Sequence, residues 1–234
     1  MRMRKKKNLI PRMERCAAVH VRDGFALRGR WRETLMPQAV QLRVELGCGK
    51  GRFTVETAQR HPETLFIAIE KVPDALVVAM ERAAALALKN VFFVVGDAAL
   101  LPDYFAPGEV DLIYINFCDP WPPKGQAKRR LTHRGFLSTY RKVLREGGEI
   151  HFKTDNGPLF QFPREEFPAA GYALSQVTHD LHGEGPQGVM TDYEAKFYAE
   201  GLPICRCVAT LLPLPASETA EAAPDLSKKP ETAG

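Results

Sequence analysis

Leu42-Arg43-Val44-Glu45-Leu46-Gly47-Cys48-Gly49-Lys50-Gly51 decides the fold. Apolar residues at 42, 44 and 46 read as a short strand that runs straight into glycines at 47, 49 and 51. A helical pattern follows through Phe53, Val55 and Ala58 and stops at His61-Pro62. A second strand, over 65–69, ends at Glu70, and Pro73-Asp74 open a long helix that runs to 88. Strands over 91–95, 110–117 and 149–153 end at Gly96-Asp97, Asp119-Pro120-Trp121-Pro122 and Thr154-Asp155-Asn156. The spacing predicts a helix over 134–145 that stops at Gly147-Gly148. Two further strands, over 174–181 and 204–212, flank a helix over 193–200. Strands alternating with helices predict right-handed βαβ units, hence an α/β fold with a mainly parallel sheet and helices on both faces. The last two strands suit an antiparallel hairpin at one edge.

The ends of the chain read differently. Residues 1–32 hold eleven Lys or Arg against Glu14 and Asp23, so the rest of the chain is net acidic although the total is +4. Little apolar periodicity marks residues 2–32, which read as a flexible basic arm anchored by Phe25 and Trp31. From Pro213 onward four Pro, five Ala and four acids with few large apolar groups read as a disordered tail. The expected organisation is therefore an arm over 1–35, a domain over 36–212 and a tail over 213–234. A second basic cluster, Lys124, Lys128, Arg129, Arg130 and Arg134, contains no acid and suits phosphate, although a solvated loop has the same composition. Apolar runs of about six residues fall far short of the roughly 20 a membrane span needs, and no signal-peptide stretch opens the chain. A cytoplasmic protein is expected. Five cysteines without a CxxC pair argue against a disulfide framework, and the histidines lack ligand partners at useful spacing, so no metal is expected.

In open α/β sheets ligands sit beyond the carboxyl ends of the strands. Here those ends carry Glu45 with Gly47, then Glu70, Asp97, Asp119 and Asp155. Each acid alone could be a turn former or helix cap; five together favour a ligand rich in amines and hydroxyls. A dinucleotide fingerprint wants G-x-G-x-x-G, and its third glycine position is Arg52 here. Glu70, 23 residues past Gly47, stands where a carboxylate can accept ribose hydroxyls. The pattern suits a nucleoside lacking a pyrophosphate, such as S-adenosylmethionine (SAM). Glu45 would face its cationic methionine end, Gly47 and Gly49 would let it pass close to the backbone, Glu70 would hold the ribose, and Asp97 would accept from the adenine amino group. That layout is Rossmann-like, as in class I SAM-dependent methyltransferases. An NAD-dependent oxidoreductase and a non-catalytic RNA-binding module are the competing readings.

Four segments together resemble the bacterial tRNA (guanine-N7-)-methyltransferases: Glu45–Gly51, Asp119-Pro120-Trp121-Pro122 with Lys128-Arg129-Arg130, Phe152-Lys153-Thr154-Asp155-Asn156, and Thr191-Asp192-Tyr193-Glu194-Ala195-Lys196-Phe197. The resemblance spans about residues 40–212. It implies methyl transfer from SAM to N7 of a guanosine in the tRNA variable loop, with tRNA as the partner. It also implies residue roles: Glu45, Glu70 and Asp97 for SAM, Asp119 at the methyl-transfer site, and Asp155 with Thr191–Glu194 for the substrate; Arg129 of the basic cluster is a further catalytic candidate. The chain departs from that pattern after Pro122. Pro123 stands at the expected substrate contact by ungapped count, whereas Lys124 carries the suitable chemistry.

Guanine N7 already presents an in-plane lone pair, so no general base is required before attack. Catalysis then rests on positioning and on a carboxylate near the base that receives the positive charge. Asp119 is the candidate, with a cap before Pro120 as the structural alternative. Trp121 either stacks on the base or covers the loop. Asp155 and Glu194, supported by Thr191, would accept the two-donor edge of guanine. Thr191-x-x-Glu194 before a helix is also a capping box, and the two roles predict different mutants. Cys48 and Cys118 read as small buried thiols.

Overall fold

Alternation along Gln41–Leu46 (β1) sends Leu42, Val44 and Leu46 to one side of a sheet and Arg43 and Glu45 to the other. The structure, a computed structural model, describes residues 6–122 and 124–213. The rest of the sheet is Thr64–Glu70 (β2), Val91–Val95 (β3), Val110–Asn116 (β4), Leu144–Thr154 (β5), Tyr172–Thr178 (β6) and Cys205–Leu211 (β7). Strand order is β3-β2-β1-β4-β5-β7-β6. The first five strands pair in parallel, and β7 runs antiparallel to both β5 and β6. The order reverses between β1 and β4, which makes the carboxyl ends of those two strands the natural crevice.

Leu9–Arg15 (α1), Arg52–Arg60 (α3) and Pro73–Ala85 (α4) cover one face, where Cys16, Phe53, Val55, Leu76 and Met80 pack on Phe66, Ala68 and Phe93. Trp31–Leu35 (α2), Leu101–Tyr104 (α5), Arg134–Arg141 (α6) and Gly157–Ala169 (α7) cover the other, where Trp31, Tyr104, Leu137 and Phe160 meet Val44, Ile67 and Ile113. Asp192–Ala199 (α8) lies in the long connection between β6 and β7.

Two sequence expectations need correction, and one helix goes unforeseen. The supposed flexible arm is, over its described residues, laid against the domain. Arg12 makes a two-pronged pair with Glu81 of α4 (2.7 and 2.6 Å), and the Val21 N–H donates to the Phe93 carbonyl at the edge of β3. Trp31 is fully buried, donates to the Tyr104 carbonyl at 2.7 Å and stacks on Phe105, while Phe25 stacks on Tyr104. Ion pairs and isolated aromatic anchors hold this segment, and neither leaves a helical or strand period. Gly147-Gly148 do not end a helix. They form a bulge inside β5, where pairing with β4 jumps from Val110↔Leu144 to Leu112↔Glu149. Gly147 takes φ +67° there, and α6 has already stopped at Arg141. Finally, the sequence pattern does not predict α7, because Pro163 and Pro168 lie inside it. Asn156 caps it by accepting from the Leu159 N–H, and buried Phe160 and Phe167 hold it to the sheet. The tail expected from 213 lies outside the described residues beyond Pro213.

If Trp31 is part of the core, Trp31→Ala should lower unfolding stability by about 3–5 kcal/mol, the usual cost of truncating a buried aromatic. Urea denaturation of parent and variant checks this; a loosely tethered arm would leave the midpoint unchanged.

Candidate active site

The glycine turn after β1 takes positive φ at Gly47, Gly49 and Gly51 (+74°, +56° and +74°). A Cβ on Gly51 would lie 2.4 Å from Ala79 Cβ and 2.8 Å from its Cα, so only glycine lets the start of α3 approach α4. The close-packing role of the missing fingerprint glycine is thus taken one position earlier. Gly47 and Gly49 face open space, where a Cβ would meet nothing within 4 Å.

Glu70 fastens the turn from the neighbouring strand end. One carboxylate oxygen accepts from the Gly49 N–H at 3.0 Å and the other from the Val72 N–H at 2.9 Å, each keeping a lone pair free. Asp97 accepts from the Ala99 N–H and pairs with Lys71 at 2.7 Å. Desolvation opposes ionisation of Asp97, yet those two partners hold its carboxyl below the usual value.

Across the switch point, Asp119 follows β4 and is exposed. Its loop is strained at both ends, with Phe117 at φ +51° and Trp121 at φ +42°. Arg130 fixes that shape: its guanidinium donates to the carbonyls of Pro120, Trp121 and Pro122 and sits over the Phe162 ring. Arg129 instead lies 3.4 Å from the Trp121 ring centroid, a close cation–π contact at the cleft wall. Burial pushes the neighbouring Cys118 thiol up to about 12, the Asp119 charge adding to it, and Cys48 is likewise pushed well up by desolvation. Neither thiol is poised as a nucleophile.

Gly47, Gly49, Glu70, Asp97, Asp119, Arg129 and Tyr193 therefore line one cleft of about 580 Å³. Sequence reasoning misses Lys71 and Phe117 in its wall, whereas Lys128 belongs to the basic cluster it singles out. Lys71 directly follows the ribose-type acid, which is the available signal. Glu45 stands behind the cleft, not in it. It is buried, accepting from Thr54 Oγ1 and from Asn116 Nδ2 at 3.1 Å. Desolvation lifts its carboxyl to about 7, against the pull of those two donors and of Lys153.

The proposed guanine edge is not assembled. Glu194 has no accessible surface. Its oxygens accept from Lys153 Nζ (2.9 and 2.6 Å), from the Thr191 N–H (3.1 Å), and meet His182 Nε2 at 3.0 Å. The Thr191 hydroxyl accepts from the Glu194 N–H, completing the capping box of α8. A carboxylate so occupied has nothing left for a base, so the capping alternative is the one realised. Asp192 pairs with Arg82 of α4 at 2.9 Å, and Asp155 is exposed at the end of β5, outside the cleft wall. Lys124 begins a 3-10 helix, Lys124–Arg129, and Pro123 lies outside the described residues. The Lys153 and His182 partners of Glu194 come from 41 and 12 residues away, a pairing no local pattern announces.

A reversing parallel sheet, a glycine turn after β1 and acids at successive strand ends define the Rossmann-like class I SAM-dependent methyltransferase fold. Solved structures agree on the fold. A 16S rRNA methyltransferase, KamB, superposes with TM-score 0.60 at 18% identity, covering 77% of this chain and 92% of that one. The 16S rRNA (adenine(1408)-N(1))-methyltransferase mutant from Catenulisporales acidiphilia, solved with cosubstrate SAM, gives 0.57 at 16% identity over 79% and 91%. A family model described as "Putative methyltransferase" matches residues 39–207. The tRNA (guanine-N(7)-)-methyltransferase of Lactococcus lactis subsp. cremoris is 42% identical over 91% of this chain and 99% of its own length. That of Geobacillus kaustophilus is 45% identical over 82% and 88%. The chain belongs to the tRNA (guanine-N(7)-)-methyltransferase family.

The buried carboxylates set two expected outcomes. Glu194→Ala should cost about 3–5 kcal/mol, because it strands buried Lys153 without its counter-charge; loss of a helix cap alone costs about 1 kcal/mol. Chemical denaturation distinguishes them. For Glu45, the folded state holds its proton more tightly than the unfolded state between 4.5 and about 7. Folding takes up a proton in that window, so this contribution is present below it and is lost as pH rises through it. Glu45→Gln should therefore gain on the parent by about 3 kcal/mol between pH 4.5 and 8, read from denaturation midpoints at each pH. Asn116 Oδ1, without a hydrogen-bond partner, can accept from the new amide if the Asn116 side chain flips.

Proposed function

We propose that this chain transfers a methyl group from SAM to N7 of a guanosine in the variable loop of tRNA. The observation that carries the reading is that Asp119, Trp121 and Arg129 line the same cleft as Gly47, Gly49, Glu70 and Asp97. The family to which the chain belongs supplies the substrate class.

The cleft residues fit SAM. The open backbone at Gly47 and Gly49 admits close approach, and Glu70 and Asp97 offer acceptors spaced along one wall. Bound there, SAM supplies an electrophilic methyl on a sulfonium. Every other task falls to the chain. No side chain has to remove a proton, since N7 is already unprotonated at neutral pH. Asp119, exposed at the cleft and held in a loop braced by Arg130, is the carboxylate that offsets the positive charge arriving on the purine. Trp121 presents the face on which a flipped base stacks, in exchange for its contact with Arg129, whose guanidinium is then released to a phosphate. Lys128 lies on the same wall. Asp155, exposed beside this region, remains the candidate for the guanine edge, and Glu194 positions Lys153 and α8.

Incubation with labelled SAM and unmodified tRNA, followed by nucleoside analysis, should yield 7-methylguanosine; any other methylated nucleoside overturns the reading. Asp119→Asn should lower kcat/KM about 10- to 100-fold, the scale of one charged hydrogen bond. Removing residues 1–7 deletes Arg2, Arg4, Lys5, Lys6 and Lys7 but spares Arg12, which is committed to Glu81. The slope of log tRNA affinity against log salt should become shallower, by about 0.9 for each phosphate that is no longer neutralised. An unchanged slope removes this segment from the RNA interface.

A further inference from the structure

A second cavity of about 320 Å³ opens on the α3 face of the sheet, beyond Glu45 and away from the glycine turn. Its floor contains an unusual pair. Lys153 and Arg206 are register partners on adjacent antiparallel strands, so both side chains rise from the same face directly opposite one another. Like charges so placed repel. Lys153 is neutralised by Glu194 and also donates to the Val189 carbonyl. Arg206, half-buried beside it, has no hydrogen-bond or ion-pair partner among the described residues. Burial depresses the proton affinity of both Lys153 and His151, their partners Glu194 and Glu149 oppose it, and the Arg206 charge adds a smaller depression to each.

Among the described residues, no carboxylate lines the cavity. Glu149 holds His151 at 2.8 Å, Glu63 lies 3.6 Å from His61, and Glu45 is taken by Thr54 and Asn116. Arg60, in the last turn of α3 on the opposite wall, is also without a partner among the described residues. The cavity thus has two uncompensated guanidinium groups and no free acid to meet them. Two further wall residues, Thr57 and Asn116, are buried, and Thr57 Oγ1 and Asn116 Oδ1 have no hydrogen-bond partner.

We propose that this cavity is a binding site for a phosphate monoester or inorganic phosphate, held by Arg206 and Arg60. A guanidinium presents a planar fork matched to phosphate oxygens. Two uncompensated guanidinium charges match the dianion of a monoester or of inorganic phosphate, whereas the phosphodiester of an RNA backbone carries a single charge. The ligand would also relieve the cross-strand repulsion between Lys153 and Arg206. This site does not depend on the methyl-transfer reading, since none of its residues lines the other cleft.

The test titrates inorganic phosphate, and separately a nucleoside 5′-monophosphate, into the full chain at constant ionic strength, with chloride as the control. Binding is followed by phosphorus NMR line broadening and by melting temperature. Saturable binding with a rise in melting temperature is expected for the parent. Arg206→Gln should weaken it at least tenfold and Arg60→Gln several-fold. Arg206→Gln should melt no lower than the parent without phosphate, because the substitution removes a repulsion; Arg60, being exposed, gives a second variant that keeps the floor intact. Glu70→Ala, in the other cleft, should bind phosphate as the parent does. Absence of saturable binding, parent-like affinity in both arginine variants, or loss of binding in Glu70→Ala would each overturn the assignment. A salt slope for tRNA that falls in Arg206→Gln without any phosphate binding would also overturn it, in favour of a backbone phosphodiester contact.

Discussion

The contact between Gly51 and Ala79 constrains everything around the cleft. Because a Cβ at 51 would collide with both Ala79 Cβ and Cα, the chain turns through three left-handed glycines and brings α3 onto α4. That turn leaves the Gly49 N–H pointing at Glu70, whose carboxylate ties β1 to β2 at their carboxyl ends. The same turn leaves Gly47 and Gly49 bare toward solvent. A ligand can reach the backbone there for the same reason that the helices can pack. Across the switch point, Arg130 does for the Asp119 loop what Gly51 does for the glycine turn: three carbonyl contacts brace the stretch in which Trp121 takes left-handed backbone that side chains disfavour.

Between the two clefts runs a buried polar wall. Thr54 and Asn116 hold Glu45, and Lys153 joins Glu194, which in turn holds His182 and the start of α8. Lys153 also lies 5.0 Å from the Phe53 ring centroid, so the wall packs directly under α3. Such networks are worth keeping only when nearly complete, because an unpaired buried charge is costly. The incompletely satisfied members, Thr57 and Asn116, are the ones that border the second cavity.

Much of this is legible in the sequence, for physical reasons. Short apolar runs ending in an acid or a glycine specify buried parallel strands, and β1 to β4 fall within a residue or so of expectation. Strand ends converge by topology alone, so Gly47, Gly49, Glu70, Asp97 and Asp119 can be gathered in one place from their spacing. What is not legible depends on partners distant in the chain. The prolines of α7 argue against helix unless Phe160 and Phe167 are known to be buried. Gly147-Gly148 look the same whether they end a helix or bulge a strand. The arm's attachment rests on Arg12 reaching Glu81 and Trp31 reaching Tyr104, 69 and 73 residues away. Glu194 stands open between cap and substrate residue because the sequence holds the Thr-x-x-Glu spacing but not the nearness of Lys153 and His182.

The central claim is that the cleft at the glycine turn takes a nucleoside without a pyrophosphate, held from Glu70. Calorimetric titration of the purified chain with SAM, and with NAD in parallel, tests it without RNA or metal. The expected result is one SAM site, no competing NAD binding, and about 1–3 kcal/mol less favourable SAM binding in Glu70→Ala. Tight NAD binding with no heat from SAM, or SAM binding indifferent to loss of the Glu70 carboxylate, would contradict it.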